Sequence, residues 1–284
     1  MRILFGAGNC IGSNLMLSRF LQHAQDHEVR IAAYYRNSKY LTSIDWCLDA
    51  LSVRLKTNYF KDKYGINGPP VDHFLTDMII NDLLEWGPEL VISDCEFFTA
   101  TLAKVLEIPL WYCSPMLQLT GIDHERKELK NITDTTKKYL DSLPNGDAYL
   151  VYSPLCDISS RPILKNGYEW VRPYMCGVSE LTTEDINIGD LQKLIPDNSL
   201  VTTGETSLVS DCLYSGKSLF ISPNPLEIEQ VLNAQLLQWY GVGVNIGRSM
   251  NMNFIKRQVE KRCSPPTLSI QKWGQLDEKL SMGI

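Results

Sequence analysis

The chain has 284 residues, which is more than a single typical domain contains and fewer than two large domains would need. This length favours two small domains. With 44% hydrophobic and 21% charged residues, 18 glycines and 14 prolines, its composition excludes fibrous and largely disordered proteins. A formal net charge of −6 argues against a protein that coats nucleic acid over its whole surface.

The first half of the chain alternates apolar strands with amphipathic helices. "RILFGAG", "SNLMLSRFLQHAQDH" and "VRIAAYY" predict a strand, a helix and a strand. After a long, mostly helical stretch, "VDHFLTDMIINDLLEWG" predicts a helix that ends at Gly87, and "PELVISD", "EFFTATLAKVLEI" and "PLWYCSP" predict a strand, a helix and a strand. This alternation is typical of a parallel, doubly wound sheet, whose ligands bind beyond the carboxyl ends of the strands, where Asp94 and Ser114 lie.

A polar stretch at 124–147 predicts an exposed helix and a turn that close a first domain, residues 1–148. In a second domain, residues 149–248, "AYLVYSP" and "GYEWVRPYMCG" are predicted strands on the crossover, followed by the strand "NSLVTTG", the helix "TSLVSDCLYSG", the strand "KSLFISP" and the helix "EIEQVLNAQLLQWYG". Residues 249–284 are expected to form a C-terminal helical tail. The sequence thus predicts an α/β fold of two Rossmann-like domains with parallel sheets, the second domain abbreviated.

The N-terminal segment contains too many glycines and polar residues for a secretory signal peptide, and no run of about 18 apolar residues follows. We therefore expect a cytoplasmic chain. Its eight cysteines are scattered without a C-x-x-C pair, which predicts reduced thiols rather than a zinc site or a disulfide framework. For the same reason the sequon at 131–133 is not expected to carry a glycan.

The glycine turn "GAGNCIGSNL" resembles the nucleotide turn of extended short-chain dehydrogenases and sugar-nucleotide epimerases. However, one extra residue separates Gly8 from Gly12, and the second strand ends in "AYYRN", without a carboxylate for an adenosine ribose. The Tyr-x-x-x-Lys pairs that begin at Tyr35 and Tyr59 come too early to be that family's catalytic pair. An NAD-dependent epimerase therefore remains an alternative.

Three segments, in order along the chain, resemble GT-B nucleotide-sugar glycosyltransferases. "GNCIGSNLMLSRFL" is similar to their first turn, "PELVISDCEFFTATLAKVLEIPLWYCSP" to their late N-domain strand-helix-strand, and residues 203–247 to their donor-binding signature. In that signature a loop of glycine and hydroxyl residues precedes a helix ending in "YSGK", and a proline-rich loop precedes "EQ" and "NA". The resemblance implies transfer of a sugar from a nucleotide sugar, with UDP as the expected carrier, to an acceptor hydroxyl. The first domain would hold the acceptor, the second the donor, and the reaction would occur in the cleft between them.

The donor-binding signature supplies the candidate donor contacts. A diphosphate leaving group gains negative charge as the glycosidic bond breaks, and N–H groups at a helix N-terminus with two hydroxyls can stabilise it without a metal or cofactor. The candidates for this role are Gly204, Thr206 and Ser207. The resemblance places Asp211 on the ribose hydroxyls, the alternative being an acid on the helix surface. It places Glu229 and Gln230 on the sugar hydroxyls, with Asn233 supporting them. The loop 222–225, which contains Pro223, would pass close to the donor sugar or phosphate, and the first turn with Gly12 would line the cleft beside the acceptor and the sugar.

The catalytic base is where the chain departs from the family. Many relatives carry His directly after the second glycine of the first turn, whereas this chain has Ser13, which is not a base at neutral pH. We therefore expect Asp94 to remove the acceptor's proton, with Glu96 as the second candidate. Glu205 stands where relatives often carry His or Gly near the phosphates, so we expect its side chain to turn away or the loop contacts to differ.

The acceptor class and the oligomeric state are left open. A hydroxyl of a small molecule, glycan or lipid is one class of acceptor, and hydroxymethylated cytosine in bacteriophage DNA is the other. The DNA hypothesis depends on a basic and aromatic stretch in which Tyr59 or Tyr64 would stack on a base beside cations at the cleft mouth, namely Arg54, Lys56, Lys61 and Lys63. The stretch 254–262 is also basic, and solvated surfaces are the alternative for both. A nucleotide-sugar hydrolase of similar fold and a catalytically inactive binding subunit are further alternatives.

Overall fold

A computed structural model of the chain describes residues 1–8, 11–34, 43–52, 57–122, 130–158, 161–174, 199–247, 253, 257 and 275–282. The chain divides into two compact units. The N-terminal unit comprises Met1–Val151 and Leu164–Glu169, and the C-terminal unit comprises Tyr152–Ile163 and Trp170–Ile284.

The larger sheet has seven strands in the order β3-β2-β1-β4-β5-β6-β7. They are β1 (Arg2–Gly6), β2 (Glu28–Ala33), β3 (Trp46–Cys47), β4 (Leu90–Ser93), β5 (Leu110–Ser114), β6 (Ala148–Tyr152) and β7 (Tyr168–Val171). The pairs β1–β2, β1–β4, β4–β5 and β5–β6 are parallel. Strands β4 and β5 are buried along their whole length, as in a parallel sheet covered by helices on both faces.

Six helices are described in the N-terminal unit: α1 (Ile11–His23), α2 (Tyr59–Tyr64), α3 (His73–Trp86), α4 (Phe97–Val105), α5 (Gln118–Gly121) and α6 (Lys130–Ser142). Helix α3 ends at Gly87, as the sequence predicts, and the structure adds a cap at its N-terminus. Asp72 accepts the N–H of Leu75 at 3.0 Å, and Gly87 ends the helix in the left-handed conformation, with φ of +66°.

Gly6 fixes the approach of β1 to α4. A Cβ at this position would lie 2.0 Å from Oγ1 of Thr99 on α4, so no side chain fits there. The carbonyl of Gly6 also accepts the N–H of Asp94 at 2.9 Å. The end of β1 is thereby held against the turn that follows β4, which is where the sequence predicts the catalytic base.

The smaller sheet lies in the C-terminal unit and has the order β10-β9-β8. Its strands are β8 (Ser199–Thr202), β9 (Ser218–Ile221) and β10 (Val244–Asn245), and both pairs are parallel. Helix α7 (Thr206–Tyr214) connects β8 to β9, α8 (Ile228–Trp239) connects β9 to β10, and α9 (Leu276–Met282) follows later in the chain. The predicted strand-helix-strand-helix order is confirmed, as is the α/β class with two parallel sheets and an abbreviated second one.

Strands β6 and β7 are the segments that the sequence analysis placed on the crossover to the second domain. In the structure both extend the larger sheet. For β6 the physical reason is that α6 connects β5 to β6, and a strand that returns after such a helix pairs in parallel with its predecessor. Most of the predicted tail at 249–284 lies outside the described residues.

No helix in the described ranges is both long and apolar enough to cross a bilayer.

Candidate functional site

The loop between β8 and α7 is held in place by α8. Asn233 donates from Nδ2 to the carbonyl oxygen of Gly204 at 2.8 Å and to Oγ1 of Thr206 at 2.9 Å. Gly204 has φ of +107°, and a Cβ there would lie 2.9 Å from the carbonyl oxygen of Gln230. Glycine is therefore required both by the backbone conformation and by the close approach of α8.

Two buried carboxyl groups lie at the N-terminus of α7. Glu229, from α8, accepts the N–H of Thr206 at 2.9 Å. Glu205 accepts from Nε2 of Gln230 at 2.8 Å and from the hydroxyl of Thr203. The exposed fractions are 4% for Glu229 and 6% for Glu205. Burial raises the pKa of the Glu205 carboxyl, although the hydrogen bonds from Thr203 and Gln230 favour its ionised form.

Gln230 connects the loops that follow β8 and β9. Its Nε2 donates to Glu205 at 2.8 Å, and its Oε1 accepts the N–H of Asn224 at 2.8 Å. The buried Pro223 precedes this contact in the donor loop predicted at 222–225. One amide side chain thus holds together the two loops at the carboxyl edge of the smaller sheet, where ligands of parallel sheets bind.

Asp211 and Ser207 both face the interior. Asp211 is 3% exposed, so the alternative of an acid on the helix surface is wrong. It lies four residues after Ser207, which places both on one side of α7. The Ser207 hydroxyl is fully buried and lies 3.1 Å from the hydroxyl of Tyr152.

Tyr152 links α7 to α9 through a chain of hydrogen bonds. Its hydroxyl accepts the N–H of Tyr174 at 3.0 Å, and the hydroxyl of Tyr174 donates to Asp277 at the start of α9, at 2.7 Å. Sequence reasoning missed both tyrosines, because a tyrosine in an apolar segment has the same pattern as a core aromatic residue. The sequence did predict Glu229 and Asn233, which stand four residues apart and therefore on one side of α8.

In the N-terminal unit, Glu96 caps α4. Its carboxylate accepts the N–H groups of Phe98 at 2.8 Å and Thr99 at 2.7 Å, and the hydroxyl of Thr99 at 2.9 Å. The hydroxyl of Tyr34 lies 3.5 Å away. Burial raises the pKa of the Glu96 carboxyl, and the bonds from Thr99 and Phe98 oppose this increase. Its contacts therefore give Glu96 a structural role.

Asp94 begins the turn between β4 and α4, and it is 5% exposed. The next residue, Cys95, has φ of +51°, an uncommon conformation for a residue other than glycine. Its carbonyl accepts the hydroxyl of Tyr139 at 2.9 Å. Ser114, at the end of β5, accepts the N–H of Met116 at 3.1 Å. Backbone turns at the ends of the neighbouring strands β4 and β5 are thus fixed by hydrogen bonds.

Gly12 and Ser13 lie in the first turn of α1. The contacts of side chains at 11–15 fall outside what the structure describes, so the prediction for these two positions stays a prediction. Among the described residues no group of three or more His, Cys, Asp or Glu side chains could hold a metal ion, and the described cysteines are free thiols.

The structure contradicts part of the predicted basic and aromatic stretch, although Lys61 is exposed as that prediction requires. Tyr59 is 1% exposed, and its hydroxyl donates to Asp77, so it offers no face for stacking on a base. Lys63 is paired with Asp77, and its Nζ lies 5.2 and 5.4 Å from the ring centroids of Tyr59 and Tyr64. Arg54 and Lys56 lie outside the described residues, as do the cations at 256, 261 and 262.

Two solved structures show the same overall fold. One is the crystal structure of SsfS6, a glycosyltransferase of Streptomyces sp. SF2575, with 17% identity, a TM-score of 0.51, and coverage of 87% of this chain and 88% of that chain. The other is the spinosyn forosaminyltransferase SpnP, with 13% identity, a TM-score of 0.50, and coverage of 99% and 98%. No protein-family model and no curated protein matches the chain. The likeness confirms the predicted fold class: the chain has the α/β GT-B fold of these glycosyltransferases.

Proposed function

We propose that this protein is a glycosyltransferase that moves a sugar from a nucleoside-diphosphate sugar to an acceptor hydroxyl. The observation that carries the proposal is the convergence of the predicted donor residues. Gly204 precedes α7 and Thr206 begins it. Asn233, from α8, is joined to both by hydrogen bonds of 2.8 and 2.9 Å. The GT-B fold over most of the chain supports the same conclusion.

In the proposed donor complex, the N-terminus of α7 binds the diphosphate. The unpaired N–H groups at a helix N-terminus and the helix dipole attract phosphate, and they stabilise a leaving group whose charge increases in the transition state. Asp211 holds the ribose hydroxyls, with UDP as the carrier, and Glu229 and Gln230 contact the sugar. The chemistry needs no cofactor, because the leaving group is already activated in the donor.

Asp94 is the proposed general base. The acceptor oxygen bonds to the anomeric carbon while the bond from that carbon to the diphosphate oxygen breaks, and the acceptor's proton passes to the Asp94 carboxylate. Glu96 is less suited to this task, because three donors from Phe98 and Thr99 already occupy its oxygens. Asp94 lies in the turn at the carboxyl edge of the larger sheet, as this role requires.

We propose a small-molecule hydroxyl as the acceptor. Modified DNA is less well supported, because Tyr59 is buried and Lys63 is paired with Asp77. The net charge of −6 also disfavours a polyanion. The description of SpnP as a spinosyn forosaminyltransferase is in keeping with a small-molecule acceptor.

A thermal-shift panel tests the proposed function. A ligand at about 100 times its dissociation constant stabilises the folded chain by about 2.7 kcal/mol. We expect stabilisation by UDP or UDP-sugars in a panel that also contains dTDP, GDP and NAD. Stabilisation by NAD alone would instead support the epimerase alternative, and no stabilisation by any nucleoside diphosphate would contradict the proposal.

A further inference from the structure

The N-terminus of α7 already has an anionic partner in this structure. Oε1 of Glu229 accepts the N–H of Thr206, the first residue of the helix, at 2.9 Å and from 23 residues away in sequence. Glu205, which occupies the capping position, makes no side-chain capping bond. A buried side chain from α8 therefore does what a local cap usually does.

We infer that Glu229 is an autoinhibitory contact: its carboxylate competes with the donor's diphosphate for the N–H of Thr206 and must leave before the diphosphate can bind there. This inference rests on the proposed function, which makes the N-terminus of α7 the diphosphate site. A single N–H forms one well-aligned hydrogen bond, so the carboxylate oxygen and a phosphate oxygen exclude each other at this atom.

Charge strengthens the competition. A diphosphate that arrived while Glu229 stayed in place would share a buried position with a carboxylate, and like charges repel more strongly where water is excluded. Glu205 adds a second carboxyl group at the same helix end, held by Gln230 at 2.8 Å. The competition thereby favours ligands that bring enough binding energy from elsewhere, such as a nucleoside attached to the diphosphate, over free inorganic anions.

Calorimetric titration with inorganic pyrophosphate and with UDP tests this inference. Glu229→Gln removes the charge but keeps a carbonyl oxygen that can accept the N–H of Thr206, so the fold is retained. We expect the variant to bind pyrophosphate about tenfold more tightly than the wild type, a change equivalent to one pKa unit of interaction, and to bind UDP more tightly as well. Uridine, which lacks phosphate, should bind both proteins equally.

Glu227→Gln is the matched control. It removes the same charge two residues earlier, from a side chain that makes no capping bond, and it should change pyrophosphate affinity less than about twofold. A second variant, Thr206→Pro, removes the contested N–H at a position where proline fits the first turn of a helix. In that background only the charge repulsion remains, so Glu229→Gln should tighten pyrophosphate binding clearly less than it does with Thr206 in place.

The inference is overturned if Glu229→Gln binds pyrophosphate no tighter than the wild type, or if Glu227→Gln tightens it equally. It is also overturned if the gain is undiminished in the Thr206→Pro background, because competition for the N–H of Thr206 would then contribute nothing. UDP binding that is unaffected by Glu229→Gln would remove the inference and leave the proposed function intact. Tightened pyrophosphate binding without any preference for UDP over pyrophosphate would support the inference and contradict the proposed nucleotide donor.

Discussion

Three acidic residues in the two units have similar side chains but different surroundings, and their surroundings give them different roles. Glu96 accepts three hydrogen bonds at the start of α4, Glu205 is held by Gln230 and Thr203, and Asp94 lies beside the strained turn at Cys95. The sequence identified all three as candidates near a ligand. It could not assign their partners, because those partners depend on the packing of separate elements.

Replacing Asp94 tests the proposed base. Asp94→Asn should lower turnover by about a hundredfold or more and leave UDP affinity nearly unchanged, because only proton removal from the acceptor is lost. Glu96→Gln is the comparison: it should lower the stability of the N-terminal unit through its cap and have a smaller effect on turnover. Steady-state rates and calorimetry measure both. Normal turnover by Asp94→Asn would exclude it as the base.

Burial of Glu205 predicts a dependence of stability on pH. Because its folded-state pKa is raised above the ordinary value of 4.5, the unfolded chain releases this proton first as the pH rises. The contribution of Glu205 to stability is therefore complete below pH 4.5 and is lost as the pH rises through the folded-state pKa. Urea unfolding across this range should show a smaller loss for Glu205→Gln, and an identical pH profile would contradict the assignment.

At the scale of elements, hydrophobic periodicity was sufficient to predict β1, α3, β4, α4, β5, α7, β9 and α8. In each of them the buried apolar residues recur at the spacing typical of a helix or a strand. It was not sufficient to place β6 and β7 in the larger sheet, since strand order depends on which neighbour is available for pairing. The contacts of Asn233 with the β8–α7 loop could not be predicted from the sequence either. The sequence shows that a polar residue is present, and packing decides that it donates to Gly204.

Asn233→Asp tests the connection between α8 and the loop. An aspartate cannot donate to the carbonyl of Gly204, and its charge would be buried near the Glu229 carboxylate, so we expect a loss of about 2–4 kcal/mol in the free energy of unfolding. Asn224→Asp is the matched control, because Asn224 acts as an acceptor for the N–H of Leu226 at 3.2 Å, which aspartate can also do. It should change stability by less than about 0.5 kcal/mol. Equal effects of the two variants would refute the donor role.

At the scale of the whole molecule, a GT-B fold is retained at 17% and 13% identity to SsfS6 and SpnP. Such a likeness reflects element order and burial pattern rather than particular side chains, which is why the fold was predictable and the acceptor was not. The net charge of −6 and the pairing of Lys63 with Asp77 both disfavour a polyanion such as DNA as the acceptor.

Gel-shift assays on hydroxymethylated duplex DNA test the acceptor class. We expect no retained complex at moderate salt, because Tyr59 is buried and the chain is acidic overall. Replacing Lys61 and Lys63 by Glu should then leave transfer to a small-molecule hydroxyl unchanged. Saturable binding with a steep salt dependence, abolished by these two substitutions, would restore modified DNA as the acceptor.

Calorimetric titration of UDP into the wild type and Asp211→Asn tests the central claim most directly. The account predicts saturable binding of UDP to the wild type, weakened by about 1–3 kcal/mol in Asp211→Asn through loss of a charge-assisted pair with the ribose. Asp141→Asn, which changes an exposed acid on α6, should bind UDP like the wild type, and circular dichroism should show that all three proteins are folded. Unchanged affinity in Asp211→Asn, or no saturable binding of UDP to the wild type, would contradict a nucleotide-sugar site on α7.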